Sequence, residues 1–158
     1  MRFPSYLDSL RHGLAGFAAA ADLFYPPLCL ICRQPPANPR DRLCVTCRGT
    51  MRPVPDDHPL LLEALSRLVA GGLVDGFVPL YLFERHGSLQ QALHLLKYSG
   101  MHSLGVMFGR ELGPKIQLPP DFGAADFLIP VPLHSARLRE RGYNQSERIC
   151  AGIREMTG

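Results

Sequence analysis

Two cysteine pairs, Cys29-x-x-Cys32 and Cys44-x-x-Cys47, are separated by the eleven residues Arg33 to Leu43. The connecting segment is polar and rich in turn formers, with Pro35, Pro36, Asn38 and Pro39, and it cannot bury an apolar core of its own. Something other than hydrophobic burial must hold it. Four thiolates around one tetrahedral cation would do so. Each C-x-x-C turn offers two sulfurs at a spacing that suits Zn²⁺ at ~2.3 Å, and a site with four cysteine ligands is closed to chemistry. Two other readings use the same residues. A pair of disulfides requires an oxidising compartment. A thioredoxin-like redox pair normally follows a strand and opens a helix, whereas Pro26 and Pro27 precede the first pair here. Cys150 falls in an apolar helical pattern far down the chain and reads as a buried thiol.

The chain has 158 residues, enough for one domain plus a small appendage. Its net charge of +3 is too weak to argue nucleic-acid binding by itself, though it favours phosphate-bearing ligands over cationic ones. No apolar run approaches the ~20 residues needed to span a bilayer, so no membrane span is predicted and a cytoplasmic location is expected. Arg2 and Arg11 ahead of Leu14–Ala20 loosely mimic a signal peptide, but Asp8 and Asp22 interrupt the pattern. An amphipathic helix with Tyr6, Leu10, Leu14 and Phe17 on one side explains the same residues.

Four regions follow. Residues 1–25 read as an N-terminal helix, 26–50 as the cysteine module, and 51–59, with Pro53, Pro55 and Pro59, as a linker. Residues 60–158 read as the main domain. It opens with a helix from about Leu60 to Ala70, capped from Asp56-Asp57-His58-Pro59 and stopped by Gly71-Gly72. Gly76 to Phe83 favours a strand, with Pro79 pointing to an edge or a bulge. Ser88 and Gln91 form a candidate capping box for a helix with Leu89, Ala92, Leu93 and Leu96 on one face, broken at Gly100. A helix over about His102 to Leu112 turns Leu104, Met107, Phe108 and Leu112 inward, and a Pro-rich connection follows from Gly113 to Ala125. Phe127 to Val131 is a short continuous apolar run, as expected for a central strand covered on both faces. The last helix starts at Asn144, with Glu147 as its reciprocal cap and Ile149, Ile153 and Met156 facing the core. Strand and helix alternate, so the expected fold class is α/β with a mostly parallel sheet.

The segment Pro132 to Gln145 lies beyond that expected strand and runs into a helix start. Ligands bind at this edge of open α/β sheets, and the free N–H groups of a helix start attract anions. Arg137, Arg139 and Arg141 supply guanidinium forks suited to phosphate oxygens, and Gly142 lets the backbone come close to a ligand. The bland reading is a solvated basic loop whose arginines pair with Glu140 and Glu147. His134 is either a proton carrier or a solvated loop residue. Lys97 is either a partner for the helix dipole or a second phosphate ligand.

The order of these motifs resembles a known family. A paired-cysteine zinc ribbon, then Leu96-Lys97-Tyr98-x-Gly100, then Pro130-Val131-Pro132-Leu133-His134-x-x-Arg137-x-x-x-Arg141-Gly142-Tyr143-Asn144-Gln145, looks like the ComF family of bacterial competence proteins, which are amidophosphoribosyltransferase-like. The likeness runs from about Leu23 to Met156. It implies a zinc ribbon ahead of the front part of a type I phosphoribosyltransferase-like sheet, and a link to DNA uptake in natural transformation. It places Arg137, Arg141, Gly142, Asn144 and Gln145, with Lys97, near the pyrophosphate of phosphoribosyl pyrophosphate, with Mg²⁺ accompanying that ligand in an active protein. A competence helicase or single-stranded DNA is the partner class the family suggests, although an aromatic content of 8% and the lack of tryptophan leave few stacking platforms. The family's acidic pair followed by Thr-Thr-Gly has no counterpart here; Asp56-Asp57 lacks a preceding apolar strand. The resemblance therefore implies a partial domain, inactive as an isolated chain, that is either a natural short form, a non-catalytic assembly protein or a truncated gene product.

Overall fold

The computed structural model describes residues 27–38, 41–117 and 125–158. The expected N-terminal helix over 1–25 and the signal-like stretch lie outside these residues. The chain divides into two compact units, Met1–Cys47 and Arg48–Gly158.

In the first unit, the Cys29–Cys32 pair occupies a tight turn. The Arg33 N–H donates to the Cys29 carbonyl and the Cys29 N–H to the Gln34 carbonyl, with Arg33 in the left-handed region at φ 63°. The Leu30 N–H reaches across to the Arg42 carbonyl at 3.0 Å and ties the two ends of the segment together. The second pair opens helix α1 (Val45–Gly49), which crosses the boundary between the units.

The second unit is helical. Helix α2 (Pro59–Ala64) continues into a π turn over Leu65–Val69 and stops at Gly72, φ 69°. Pro59 fills the first helical position as expected; the capping side chain is His58, whose Nδ1 accepts from the Leu60 N–H, rather than either aspartate. Helix α3 (Ser88–Tyr98) buries Leu89, Ala92 and Leu96. Its N-cap is Gly87, and the Ser88 hydroxyl bonds Thr50 instead of closing a capping box. Helix α4 (His102–Gln117) runs past the expected end at Leu112 and through Pro114, into what the sequence reads as connection. Helix α5 (Ser135–Arg141) and helix α6 (Gln145–Thr157) complete the unit.

The α/β expectation fails. Among the described residues there is no strand and no sheet; the extended contact is one isolated antiparallel bridge between Pro53 and Tyr81, beside a bond from the Leu82 N–H to the Arg52 carbonyl. Pro55 and Pro79, which would pair next on one side of this bridge, have no N–H, so the bridge cannot lengthen into a ladder in that direction. The segment Phe127–Val131 is not a covered central strand either. Phe127, Ile129 and Val131 are 83%, 80% and 72% exposed. Pro130 and Pro132 remove two of the donors that a sheet would need there.

The core forms instead where α4 meets α6. Gly105, Gly109 and Gly113 recur every fourth residue, so they line one stripe of α4. Gly152 of α6 comes against Gly109, so close that a Cβ on Gly109 would fall on the Ile149 carbonyl oxygen and one on Gly152 on the Val106 carbonyl oxygen. Backbones at that distance gain dispersion contacts along the whole stripe. Leu104 and Phe108 of α4 and Ile153 of α6 fill the flanks. Ile149 is half-buried and Met156 is exposed.

Candidate functional site

The four paired cysteines converge. Their sulfurs all lie within 4.8 Å of one another, and those of Cys32 and Cys44 are 3.6 Å apart. A tetrahedral site with Zn–S at ~2.3 Å has edges of about 3.8 Å, so the spacing fits one shared cation. Among the described residues no disulfide forms, and 3.6 Å is far outside the ~2.05 Å of an S–S bond. The backbone contributes to the cluster. The Cys47 N–H donates to the Cys44 sulfur at 3.3 Å, so this ligand also takes one of the spare donors at the start of α1. Burial alone would raise the Cys29 thiol, but N–H groups of Cys32, Cys44 and Ile31 outweigh it and bring the group down to about 6. Cys47 is pushed strongly up, by burial first and then by the neighbouring sulfurs. One negative sulfur disfavours the next, and a dication removes that conflict. The arrangement can therefore hold a metal ion. Cys150 stands apart on α6, half-buried, with its thiol raised by burial.

The second candidate segment is partly a helix, not a loop. His134 is exposed, and its Nδ1 accepts from the Ala136 N–H at 3.2 Å and caps α5. Gly142 closes the same helix in the left-handed region, φ 75°, so its freedom serves the turn. With no sheet among the described residues, the segment does not sit at a sheet edge.

Each predicted phosphate ligand has a definite place. Arg137 and Arg141 are one helical turn apart on α5. Arg137 is exposed and pairs with Glu140 at 2.7 Å, as the bland reading holds for that residue; Glu147 takes part in none of the described ion pairs. Arg141 is half-buried. Its Nη1 donates to Gln145 Oε1 at 2.9 Å, its Cζ lies 5.5 Å from the centre of the Tyr98 ring, and its buried Nε has no hydrogen-bond partner. Asn144 is committed at both ends: Oδ1 accepts from the Ser146 N–H and Nδ2 donates to the Val131 carbonyl, each at 3.0 Å. That makes it the cap of α6 and the anchor of the exposed run, without the help of Glu147. Lys97 is exposed at the end of α3, beside Tyr98. The fold thus gathers Arg141 and Gln145 at Tyr98, the neighbour of Lys97, while the Asn144 side chain is engaged in structure.

Tyr143, a motif residue to which the sequence assigned no role of its own, holds this arrangement. The Tyr143 hydroxyl donates to the Leu96 carbonyl, and its ring lies 3.8 Å from that of His102. Burial raises its phenol. Tyr143 thereby pins the turn between α5 and α6 to the end of α3. A third group, Glu111 with Arg48 and Tyr81, was equally unforeseen. Nothing in the local pattern joins residues so far apart in sequence.

No family model, curated protein or solved structure matches the chain. Among the described residues, no helix is long and apolar enough to cross a membrane.

Proposed function

We propose that this chain is a ComF-like binding protein, clamped by a structural Zn²⁺ on Cys29, Cys32, Cys44 and Cys47, that takes a diphosphate-bearing ligand of the phosphoribosyl pyrophosphate class. The observation that carries the clamp is the convergence of four sulfurs, from two turns eleven residues apart, on one point. The motif order of the ComF family supports the ligand class. So does Arg141, a fixed guanidinium with a spare buried N–H, one turn from the exposed Arg137. The Arg137–Glu140 ion pair is exposed and screened by solvent, so phosphate oxygens can displace the carboxylate. Mg²⁺ would accompany the diphosphate, and the role would be cytoplasmic handling of DNA during uptake, by binding rather than turnover.

Two measurements test the parts separately. Reduced, freshly purified protein is expected to carry zinc at one ion per chain; a ratio near zero removes the clamp. Calorimetry with phosphoribosyl pyrophosphate and Mg²⁺ is expected to show binding that weakens about tenfold in Arg141→Ala, the size of a lost hydrogen bond to a charged group. No heat in the parent chain removes the ligand reading.

A further inference from the structure

The four cysteines of the clamp differ in access. Cys29 has no exposed surface, and Cys44 and Cys47 are 9% and 8% exposed. Of the four, only Cys32 is open to solvent. Oxidation of thiolates follows access as well as charge, so an oxidant in solution meets Cys32 first.

The second sulfur is named by its distance from Cys32, and Cys44 lies in reach. Cys29 sits in a nest of N–H groups from Cys32, Cys44 and Ile31, and moving its sulfur disrupts all of them. Cys44 accepts from the Cys47 N–H and lies 3.6 Å from the Cys32 sulfur. Closing that gap to a disulfide requires a shift of about 1.5 Å.

We propose that Cys32 is an oxidation site for hydroperoxides, and that its oxidation joins it to Cys44 and opens the clamp. The inference rests on the zinc reading above for its consequence, though not for the bond it predicts. In the first step the Cys32 thiolate attacks one peroxide oxygen. The O–O bond breaks, Cys32 becomes a sulfenic acid, and the departing oxygen takes a proton and leaves as water from hydrogen peroxide or as the alcohol from an organic hydroperoxide. In the second step the Cys44 thiolate attacks the sulfenic sulfur. An S–S bond forms, the S–O bond breaks, and the hydroxide released takes a second proton. For hydrogen peroxide, two thiolates, one peroxide and two protons give one disulfide and two waters; the sulfurs lose two electrons and the peroxide gains them. Cys29 and Cys47 are then the remaining ligands, too few for a closed four-sulfur site. A thiol reductant reverses the change.

The test uses the full chain, reduced and zinc-loaded, titrated with hydrogen peroxide. Zinc release is followed with a chromogenic chelator, and disulfides are mapped by mass spectrometry of peptides. The expected result is a Cys32–Cys44 cross-link that appears in step with released zinc, and uptake of zinc again after reduction. Cys32→Ser is expected to lose the cross-link at the same dose. Because that variant also removes a ligand, the map of the parent chain decides. Cross-links confined to Cys29–Cys32 or Cys44–Cys47, or zinc release with no disulfide, overturn the proposal. If the purified chain carries no zinc, the clamp falls on that measurement, and the cross-link map of the metal-free chain still tests the oxidation site.

Discussion

The Glu111 side chain is only 10% exposed and lies between Arg48 at 2.5 Å and the Tyr81 hydroxyl at 2.6 Å. The Arg48 contact is an ion pair without the alignment of a hydrogen bond, so the tyrosine proton is the oriented partner. Burial first, and then that hydrogen bond, push the Tyr81 phenol from 10 up to about 12. The folded chain therefore binds this proton more tightly than the unfolded chain. The stabilisation is complete below pH 10 and is lost as pH rises through 12. Urea midpoints are expected to fall across that window, and Tyr81→Phe to remove part of the fall, leaving the share of Tyr143. An alkaline fall unchanged in Tyr81→Phe would contradict this. Asn144 gives a second prediction at this scale. Alanine there removes a helix cap, worth about 1 kcal/mol, and orphans the Val131 carbonyl, so roughly 2 kcal/mol in all is expected from denaturant unfolding. The cap was legible because Asn before an apolar helical period is a strong local signal. The bond to Val131 was not, since it depends on where a distant segment lies.

At the scale of elements, the helices read well and the strands did not. Helical periodicity comes from one segment alone, whereas a strand exists only when another backbone pairs with it. Gly76–Phe83 and Phe127–Val131 have suitable side chains, but prolines at 53, 79, 130 and 132 limit the pairing that would make them strands. The basic segment was misread for a local reason. Its arginines drew a ligand interpretation, while Ser135–Arg141 between His134 and Gly142 is also an ordinary capped helix. The contact between α4 and α6 belongs to this scale. Gly105, Gly109 and Gly113 were visible in the sequence, yet their spacing acquires meaning only once Gly152 is found opposite. Gly109→Ala is expected to destabilise by about 2 kcal/mol, because a methyl group there meets backbone that cannot step aside. An exposed change such as Arg139→Ala is expected to leave the melting temperature within a degree or so. Equal melting of the Gly109 variant and the parent would show that the helices separate freely.

The whole molecule comprises two units that rest on different physics. Among the described residues, the first gathers its four paired cysteines and the second is closed by helix packing. Removal of metal with a strong chelator is therefore expected to raise hydrogen exchange across Pro27–Cys47 and to leave α4 and α6 protected. Exchange rising equally in both would show that one cooperative core serves the entire chain. The cysteine cluster was readable before any coordinates, because two C-x-x-C turns a short polar segment apart carry their own geometry. The same holds for most helix positions and for the Asn144 cap, where the deciding atoms lie within a few residues. What the tertiary structure decided was everything that depends on a distant partner. The apolar run at Phe127 stays uncovered, glycines rather than a sheet build the core, and Arg141 is fixed by Tyr98 and Gln145. Local sequence carries spacing and propensity, but burial and pairing are properties of two segments at once.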